Sequence, residues 1–436
     1  MSILSKKISR RKLLKGSVQA ATAFTILPSW AYGQAPSDTL TKAVIGTGGM
    51  GMGHVDGSSP GTNDGTKLVA VCDVDTNHLA NALAGKTGVT GYKDFRDLLN
   101  RNDIDIVHIA TPPHWHALMA IAAANAGKDV WCEKPMTRTI GEGKRVVEAM
   151  RRNGTIFRLN TWFRFTGQSA IYGSAFYGAG VPARDMRKMV IADLLGGPLT
   201  VTIGAGTGFT WKLSTWFGNT NLTPQTVPSN LDYDMWLGPA PYKPYNSGRV
   251  HLNFRGYWDY DAGGLGDMGQ HYLDPFQYIL GKDDTSPVEV VPDTDPQHWD
   301  AVQSWRKVTL KYADGTKIIL DGVGNDTALV QGSKGKVMAG FVSDIAGLKA
   351  KVDALPNPPV QQDDFVKAVK ARTKFGLNEM NGHRSCTLVN MAAISVRLGR
   401  TLKFDPDKQM FIGDDEANRM INQPMRAPWA LPDGGA

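Results

Sequence analysis

Four short stretches of this chain carry residue types that can do chemistry. The first is Gly46-x-Gly48-x-x-Gly51, with Gly49 and Met50 inside it, directly after the apolar run Lys42 to Ile45. Glycines at such positions let backbone approach a pyrophosphate while the following helix turns its free N–H groups toward the negative charge. The second is Asp73, at the end of the next apolar run and 27 residues past Gly46. A carboxylate there accepts hydrogen bonds from both ribose hydroxyls of adenosine and repels a 2′-phosphate, which favours NAD over NADP; Asp75 competes for the same role. The third is Glu133-Lys134-Pro135, which follows the run Val130 to Cys132 much as Thr111-Pro112-Pro113-His114-Trp115-His116 follows Ile104 to Ile109. Carboxyl ends of parallel strands are where ligands bind in such sheets, so the strand-end position and Pro135 aim the Lys134 ammonium into a cleft. The fourth is Asp267 with His271, four residues apart and therefore on one face of the helix that Leu273, Phe276 and Leu280 suggest.

These residues need a scaffold, and the first half of the chain spells one out. Lys42 to Ile45, Leu68 to Cys72, Ile104 to Ile109, Val130 to Cys132 and Thr155 to Leu159 read as strands buried on both faces. Helical patterns lie between them, starting near Thr76, near Asp94, at His114 and after Thr139, with Gly127 and Gly154 at expected stops. The alternation predicts an α/β Rossmann domain, a doubly wound parallel sheet, over 40–160. From Phe163 to Tyr260 glycine, proline and aromatic residues crowd into loops around one strand at Leu199 to Ile203. A hairpin follows, Trp305 to Tyr312 turning at Asp314-Gly315 into Thr316 to Leu320, and then helices at Asp364 to Ala371 and Ser385 to Leu398. This predicts an α+β domain with a mostly antiparallel open sheet over 161–405, and a C-terminal tail over 406–436. The open sheet offers a face for a homodimer or homotetramer.

Thr111-Pro112-Pro113, Glu133-Lys134-Pro135 and Gly264-Leu265-Gly266-Asp267-Met268-Gly269-Gln270-His271 together resemble the glucose-fructose oxidoreductase, inositol dehydrogenase and rhizopine-catabolism family, Gfo/Idh/MocA. The resemblance covers nearly all of the chain beyond its first residues. Leu231 to Pro239 and Arg426 to Trp429 resemble segments of its exported bacterial members. What the resemblance implies is oxidation of a sugar or cyclitol hydroxyl by NAD. Lys134 then lies beside the nicotinamide and stabilises negative charge on the substrate oxygen. His271 takes the hydroxyl proton, and Asp267 orients substrate and keeps the imidazole basic. Thr111, Pro112, His116 and Glu133 join the glycine turn as cofactor contacts, although His116 either lies near the nicotinamide or packs on the strand end. Asn160, Trp162, Arg164, Tyr257, Trp258 and Tyr260 are candidates for a carbohydrate pocket, since aromatic faces stack on sugar C–H surfaces. His114 and His116 lack further partners at ligand spacing, so no metal site is expected.

The N-terminus adds a constraint. Ser9-Arg10-Arg11-Lys12-Leu13-Leu14-Lys15, an apolar run from Val18 to Leu27 and the small-residue exit Ala31-Tyr32-Gly33 read as a twin-arginine signal peptide over 1–33. That route carries folded proteins, so the mature protein is expected in the periplasm, outside the membrane. Six of the 48 basic residues and none of the 41 acidic ones lie in the leader, which leaves the rest nearly neutral and gives no reason to expect nucleic acid. Three cysteines, Cys72, Cys132 and Cys386, imply no disulfide framework. No pool of soluble dinucleotide waits outside the cytoplasm. The expected enzyme therefore holds its NAD tightly and regenerates it in place. A second sugar reoxidises it, or a transient keto-sugar permits elimination, hydrolysis or epimerisation before reduction. The alternative outside enzymology is a noncatalytic carbohydrate-binding protein that kept the fold.

Overall fold

The computed structural model describes residues 39–168, 179–324 and 326–431. The leader expected over 1–33 lies outside them. Six strands, β1 (Thr41–Ile45), β2 (Lys67–Cys72), β3 (Thr90–Tyr92), β4 (Ile106–Ile109), β5 (Asp129–Glu133) and β6 (Phe157–Asn160), form one parallel sheet in the order β3-β2-β1-β4-β5-β6. Their Val, Ile, Ala and Cys side chains are buried on both faces, because a crossover helix covers each side. The order reverses between β1 and β4, and a crevice opens there at the strands' carboxyl ends. Local chemistry sets the helix limits: Thr139 and Glu142 form a capping box at the start of Ile140–Asn153, and Gly154 ends it with φ 62°.

The second sheet has eight strands in the order β12-β11-β7-β10-β9-β8-β13-β14. These are β7 (Thr200–Gly204), β8 (Glu289–Thr294), β9 (Trp305–Lys311), β10 (Lys317–Asp321), β11 (Ala328–Gln331), β12 (Lys336–Met338), β13 (Leu402–Asp405) and β14 (Met410–Phe411). All pairings are antiparallel except β7 with β10. Against it pack the long helices Gly263–Leu280 and Glu379–Leu398, whose facing side chains fill the larger core. Helix Glu379–Leu398 also contacts Ile140–Asn153, so one element braces both sheets.

Three expectations shift. Helix Glu379–Leu398 begins six residues before Ser385, because the Asn378 side chain accepts from the Met380 and Asn381 N–H groups and starts a polar first turn that hydrophobic periodicity does not reveal. Strands β3, β8 and β11 to β14 were not legible, being short or interrupted by Pro292. The boundary expected at 405/406 falls inside the β13–β14 hairpin, where Phe404 pairs with Phe411. Beyond it the chain returns to the first sheet's side, and Trp429 packs edge-on to Trp115 at 4.8 Å and beside Phe95 at 6.4 Å. Cys72, Cys132 and Cys386 are free and buried. Among the described residues no helix is long and apolar enough to cross a membrane.

Candidate active site

The crevice contains a cavity of about 430 Å³ that runs from Asp73 and His78, past Gly46 to Met50 and Thr111 to Trp115, to Lys134, Asp261 and Asp267. Its glycines divide into two kinds. Gly46 holds φ +83°, and a Cβ there would meet the Ala110 carbonyl at 2.8 Å; a Cβ at Gly51 would lie 1.7 Å from the Gly46 carbonyl oxygen. These two glycines close the turn. A Cβ at Gly49 would meet nothing within 4 Å, and one at Gly48 only His78 at 3.8 Å. That open space lies over the N-terminus of helix Gly49–Asp56, whose Gly48 cap brings no side chain to the first N–H groups. A dinucleotide pyrophosphate fits such a cradle. Gly51→Ala is therefore expected to weaken cofactor binding about tenfold, the scale of an overpacked contact, while Gly49→Ala leaves the turn intact; equilibrium dialysis with NAD distinguishes the two.

Asp73 and Asp75 have separate tasks. Asp73 lines the cavity, with Oδ2 accepting from the Thr47 N–H at 2.7 Å and the Thr47 hydroxyl at 3.1 Å. Asp75 caps helix Thr76–Leu83 through the Asn77 N–H at 2.8 Å and accepts from Asn230 Nδ2 at 2.9 Å, so it stands outside the cavity wall. Near them His78 Nδ1 lies 3.7 Å from Asp73, and His251 Nε2 lies 3.3 Å from Asp75.

At the other end Lys134 emerges from β5 and turns its ammonium to the Asp267 carbonyl at 2.6 Å and the Asp267 carboxylate at 3.1 Å. The same carboxylate accepts from Arg255 Nε at 2.8 Å, Lys212 Nζ at 3.0 Å and Trp216 Nε1 at 2.8 Å. Burial opposes its ionisation, but Lys134, Arg255 and Lys212 outweigh that and hold the carboxyl far below the usual range. Asp267 thus positions Lys134 and has no oxygen free to orient a substrate, which corrects the sequence-based expectation. Glu133 also lines the cavity; burial raises its pKa, yet hydrogen bonds from His54 at 2.8 Å and Asn160 at 2.5 Å, with Lys134 nearby, bring it to about 2.

His271 lies off the cavity wall, 8% exposed, its ring edge-on to Trp162 and Phe163 at 5.4 Å. Nδ1 pairs with the Thr161 hydroxyl at 2.9 Å, leaving Nε2 without a hydrogen-bond partner among the described residues. Burial, with Lys134 adding to it, lowers its pKa to about 3, so the ring is neutral at physiological pH.

Several expected ligands are structural instead. Arg164 is fully buried and forks two carboxylates, Asp274 at 2.6 and 2.8 Å and Asp283 at 2.9 and 3.1 Å, which removes it from any sugar pocket. Tyr260 is buried edge-on to Trp236 at 5.0 Å and beside His114 at 5.1 Å, and Tyr257 and Trp258 are equally enclosed, so none offers a face to a ligand. His116 is no cofactor contact: its two nitrogens face the Pro135 carbonyl at 2.7 Å and the Thr111 carbonyl at 2.8 Å, bracing one strand end against the other. Asn160 orients Glu133, and Trp162 is half-buried beside His271. Lys212, Trp216, Arg255 and Asp261 were missed; Arg255 lies in the short 3-10 helix His251–Gly256 and the others in loops, none with a legible period, and only the glycine-rich stretch after Asp261 hinted at close packing.

Two models of one family match the chain. The oxidoreductase family's NAD-binding Rossmann fold matches residues 40–161, and its C-terminal alpha/beta domain matches residues 179–431. An inositol 2-dehydrogenase of Salmonella typhimurium is 37% identical over 118 residues, 27% of this chain and 34% of that one. A glycosyl hydrolase family 109 protein of Shewanella baltica is 34% identical over 173 residues, 33% of this chain and 37% of that one. The chain thus spans about a third of the length of the curated relatives it matches. The WlbA dehydrogenase of Bordetella pertussis, solved with NADH and UDP-GlcNAcA, has a TM-score of 0.55 at 19% identity, covering 84% of this chain and 99% of that one, a likeness of fold alone. With both of its halves matched in chain order and the glycine turn, Lys134 and Asp267 gathered on one cavity, the protein belongs to the Gfo/Idh/MocA oxidoreductase family.

Proposed function

We propose that the protein oxidises a hydroxyl-bearing carbon of a sugar, glycoside or cyclitol, using an NAD that it keeps through turnover. The observation that carries this reading is Lys134, an ammonium held by Asp267 in the wall of the cavity that also holds the glycine turn. Bound NAD would supply a hydride acceptor. Lys134 stabilises negative charge on the substrate oxygen as the C–H bond breaks, and the hydroxyl proton passes through an intervening water to the neutral His271, which stands off the cavity wall. Asp267 fixes the ammonium's position and, being fully engaged by three cations and the Trp216 indole, does not compete for the proton.

Retention is supported by what overhangs the adenosine end. Asn230 accepts from the Thr76 N–H at 2.8 Å, Asp232 donates to the Val74 carbonyl at 3.0 Å, and His251 and Leu252 border the cavity. These segments tie the second half of the chain across the mouth of the groove, which favours a low off-rate. The twin-arginine leader supports it from the other side, since an exported enzyme has no free cofactor to draw on. A redox-neutral variant, in which a transient keto-sugar allows glycoside cleavage before the hydride returns, is favoured by the relatives named as glycosyl hydrolases. A noncatalytic carbohydrate-binding role is disfavoured by the presence of Lys134, Asp267 and His271. We also assign the open face of the eight-stranded sheet as the surface on which copies pair.

The NAD preference is assigned to Asp73. In Asp73→Ser the ribose hydrogen bonds and the repulsion of a 2′-phosphate disappear together, so NAD affinity is expected to fall about tenfold and the margin over NADP to vanish. An unchanged NAD to NADP ratio in competition binding would assign the role to another group. The hydride step itself is tested by mixing cofactor-loaded protein with sugars and following absorbance of the reduced nicotinamide in a single turnover. No reduction by any sugar or cyclitol would overturn the reading.

A further inference from the structure

The end of the cavity beside Lys134 carries more positive charge than it can use. Lys134, Lys212 and Arg255 converge on the single Asp267 carboxylate at 2.8 to 3.1 Å. A second carboxyl at this end of the wall, Asp261, is completely enclosed; burial, with Asp267 adding to it, pushes its pKa up to about 7 against the pull of Arg255 and Lys134. It therefore offsets the three cations only in part. Glu133 is taken by His54 and Asn160.

The arrangement is built. Lys212 holds φ +53°, a conformation that a non-glycine residue keeps only where its surroundings impose it. Its carbonyl accepts from the N–H groups of Thr215 and Trp216, forming a turn that brings the Trp216 indole N–H to the same Asp267 oxygen as Lys212. This loop presses on the start of helix Gly263–Leu280: a Cβ at Gly264 would lie 1.7 Å from the Trp211 carbonyl oxygen. The Trp216 ring has the Lys212 ammonium 5.4 Å and the Arg255 guanidinium 4.8 Å from its centroid. Donors are left over. Lys212 spends one of its three on Asp267, and Arg255 spends Nε there and Nη1 on the Leu252 carbonyl, so among the described residues Nη2 is unspent. Arg255 lines the cavity and is 18% exposed; Lys212 stands behind the wall, 37% exposed, with its ammonium 3.0 Å from the Asp267 carboxylate that does line it.

We infer that the sugar accepted here is an acid, its carboxylate held by Lys212 and Arg255 while Lys134 serves the hydroxyl being oxidised. The inference rests on the reading of this cavity as a sugar-oxidising site and names its substrate class. A carboxylate completes the charge balance and takes the spare donors, and a guanidinium with an ammonium beside it suits its two oxygens. The pyrophosphate of the cofactor is not the anion in question, because its cradle lies over Gly48 and Gly49, after β1, whereas Lys212 and Arg255 share their carboxylate with Lys134, after β5.

Calorimetric titration of the cofactor-loaded, full-length chain tests this, with D-glucuronate and D-galacturonate as probes and the corresponding uronamides as uncharged controls. An acid is expected to bind at least tenfold more tightly than its amide. Lys212→Met and Arg255→Met should each bring the acid close to the amide without lowering NAD content, and Lys212→Arg should keep the preference, which separates loss of charge from loss of fold. Equal binding of acid and amide, or a preference that survives both methionine variants, overturns the inference. Failure of all four probes to bind overturns it too, and reduction of bound NAD by neutral sugars in that case would leave the oxidoreductase reading intact. Preferred acid binding without any cofactor reduction would instead keep the subsite and remove the proposed function.

Discussion

In Lys134→Met, single-turnover reduction of the bound cofactor by a saturating sugar is expected to slow by on the order of a hundredfold or more, with cofactor content unchanged. Among the described residues the ammonium is the one cation that reaches Asp267 from the Rossmann side, directly after β5, and in the proposed reaction its charge matters most when the substrate oxygen becomes negative. Removing it leaves Asp267 with Lys212, Arg255 and Trp216, so the carboxylate stays paired and the local fold persists. The effect should therefore appear in the hydride step and not in melting. Reduction at the parent rate would count decisively against the assigned role.

Arg164→Met is expected to do the opposite, costing stability and sparing chemistry in whatever protein folds. Arg164 and Asp274 are both fully buried, and the guanidinium also forks Asp283. Deleting the cation leaves the fully buried Asp274 charged or unsatisfied, a loss of about 3–5 kcal/mol for a broken buried pair. Denaturant unfolding of parent and variant measures it. A shift under about 1 kcal/mol, the usual worth of an exposed pair, would mean that the network is solvated.

Arg164 also shows where reading the sequence stopped working. The parallel sheet and the places of Gly46, Gly51, Asp73 and Lys134 were legible because each follows a buried apolar run, and in this architecture the strand end fixes the direction of the next residues. Arg164 follows β6 in the same way, but its partners Asp274 and Asp283 stand over a hundred residues away on and after a helix, and no local pattern announces such a pair. The aromatic residues Tyr257, Trp258 and Tyr260 were misread for a related reason. Composition cannot say whether an aromatic face meets a ligand or a neighbouring ring, and here rings and hydrogen bonds enclose them. Lys212 and Arg255 were invisible because a loop and a six-residue 3-10 helix carry no legible period. Lys212 is placed by tertiary contacts, its ammonium on Asp267 at 3.0 Å and its neighbour Trp211 against Gly264.

The proposed retention of one NAD in this cavity through turnover is tested most directly by purifying the protein without added cofactor, quenching it in acid and quantifying what is released. NAD and NADH together are expected in near-stoichiometric amount with protein. Protein that releases no dinucleotide would contradict it.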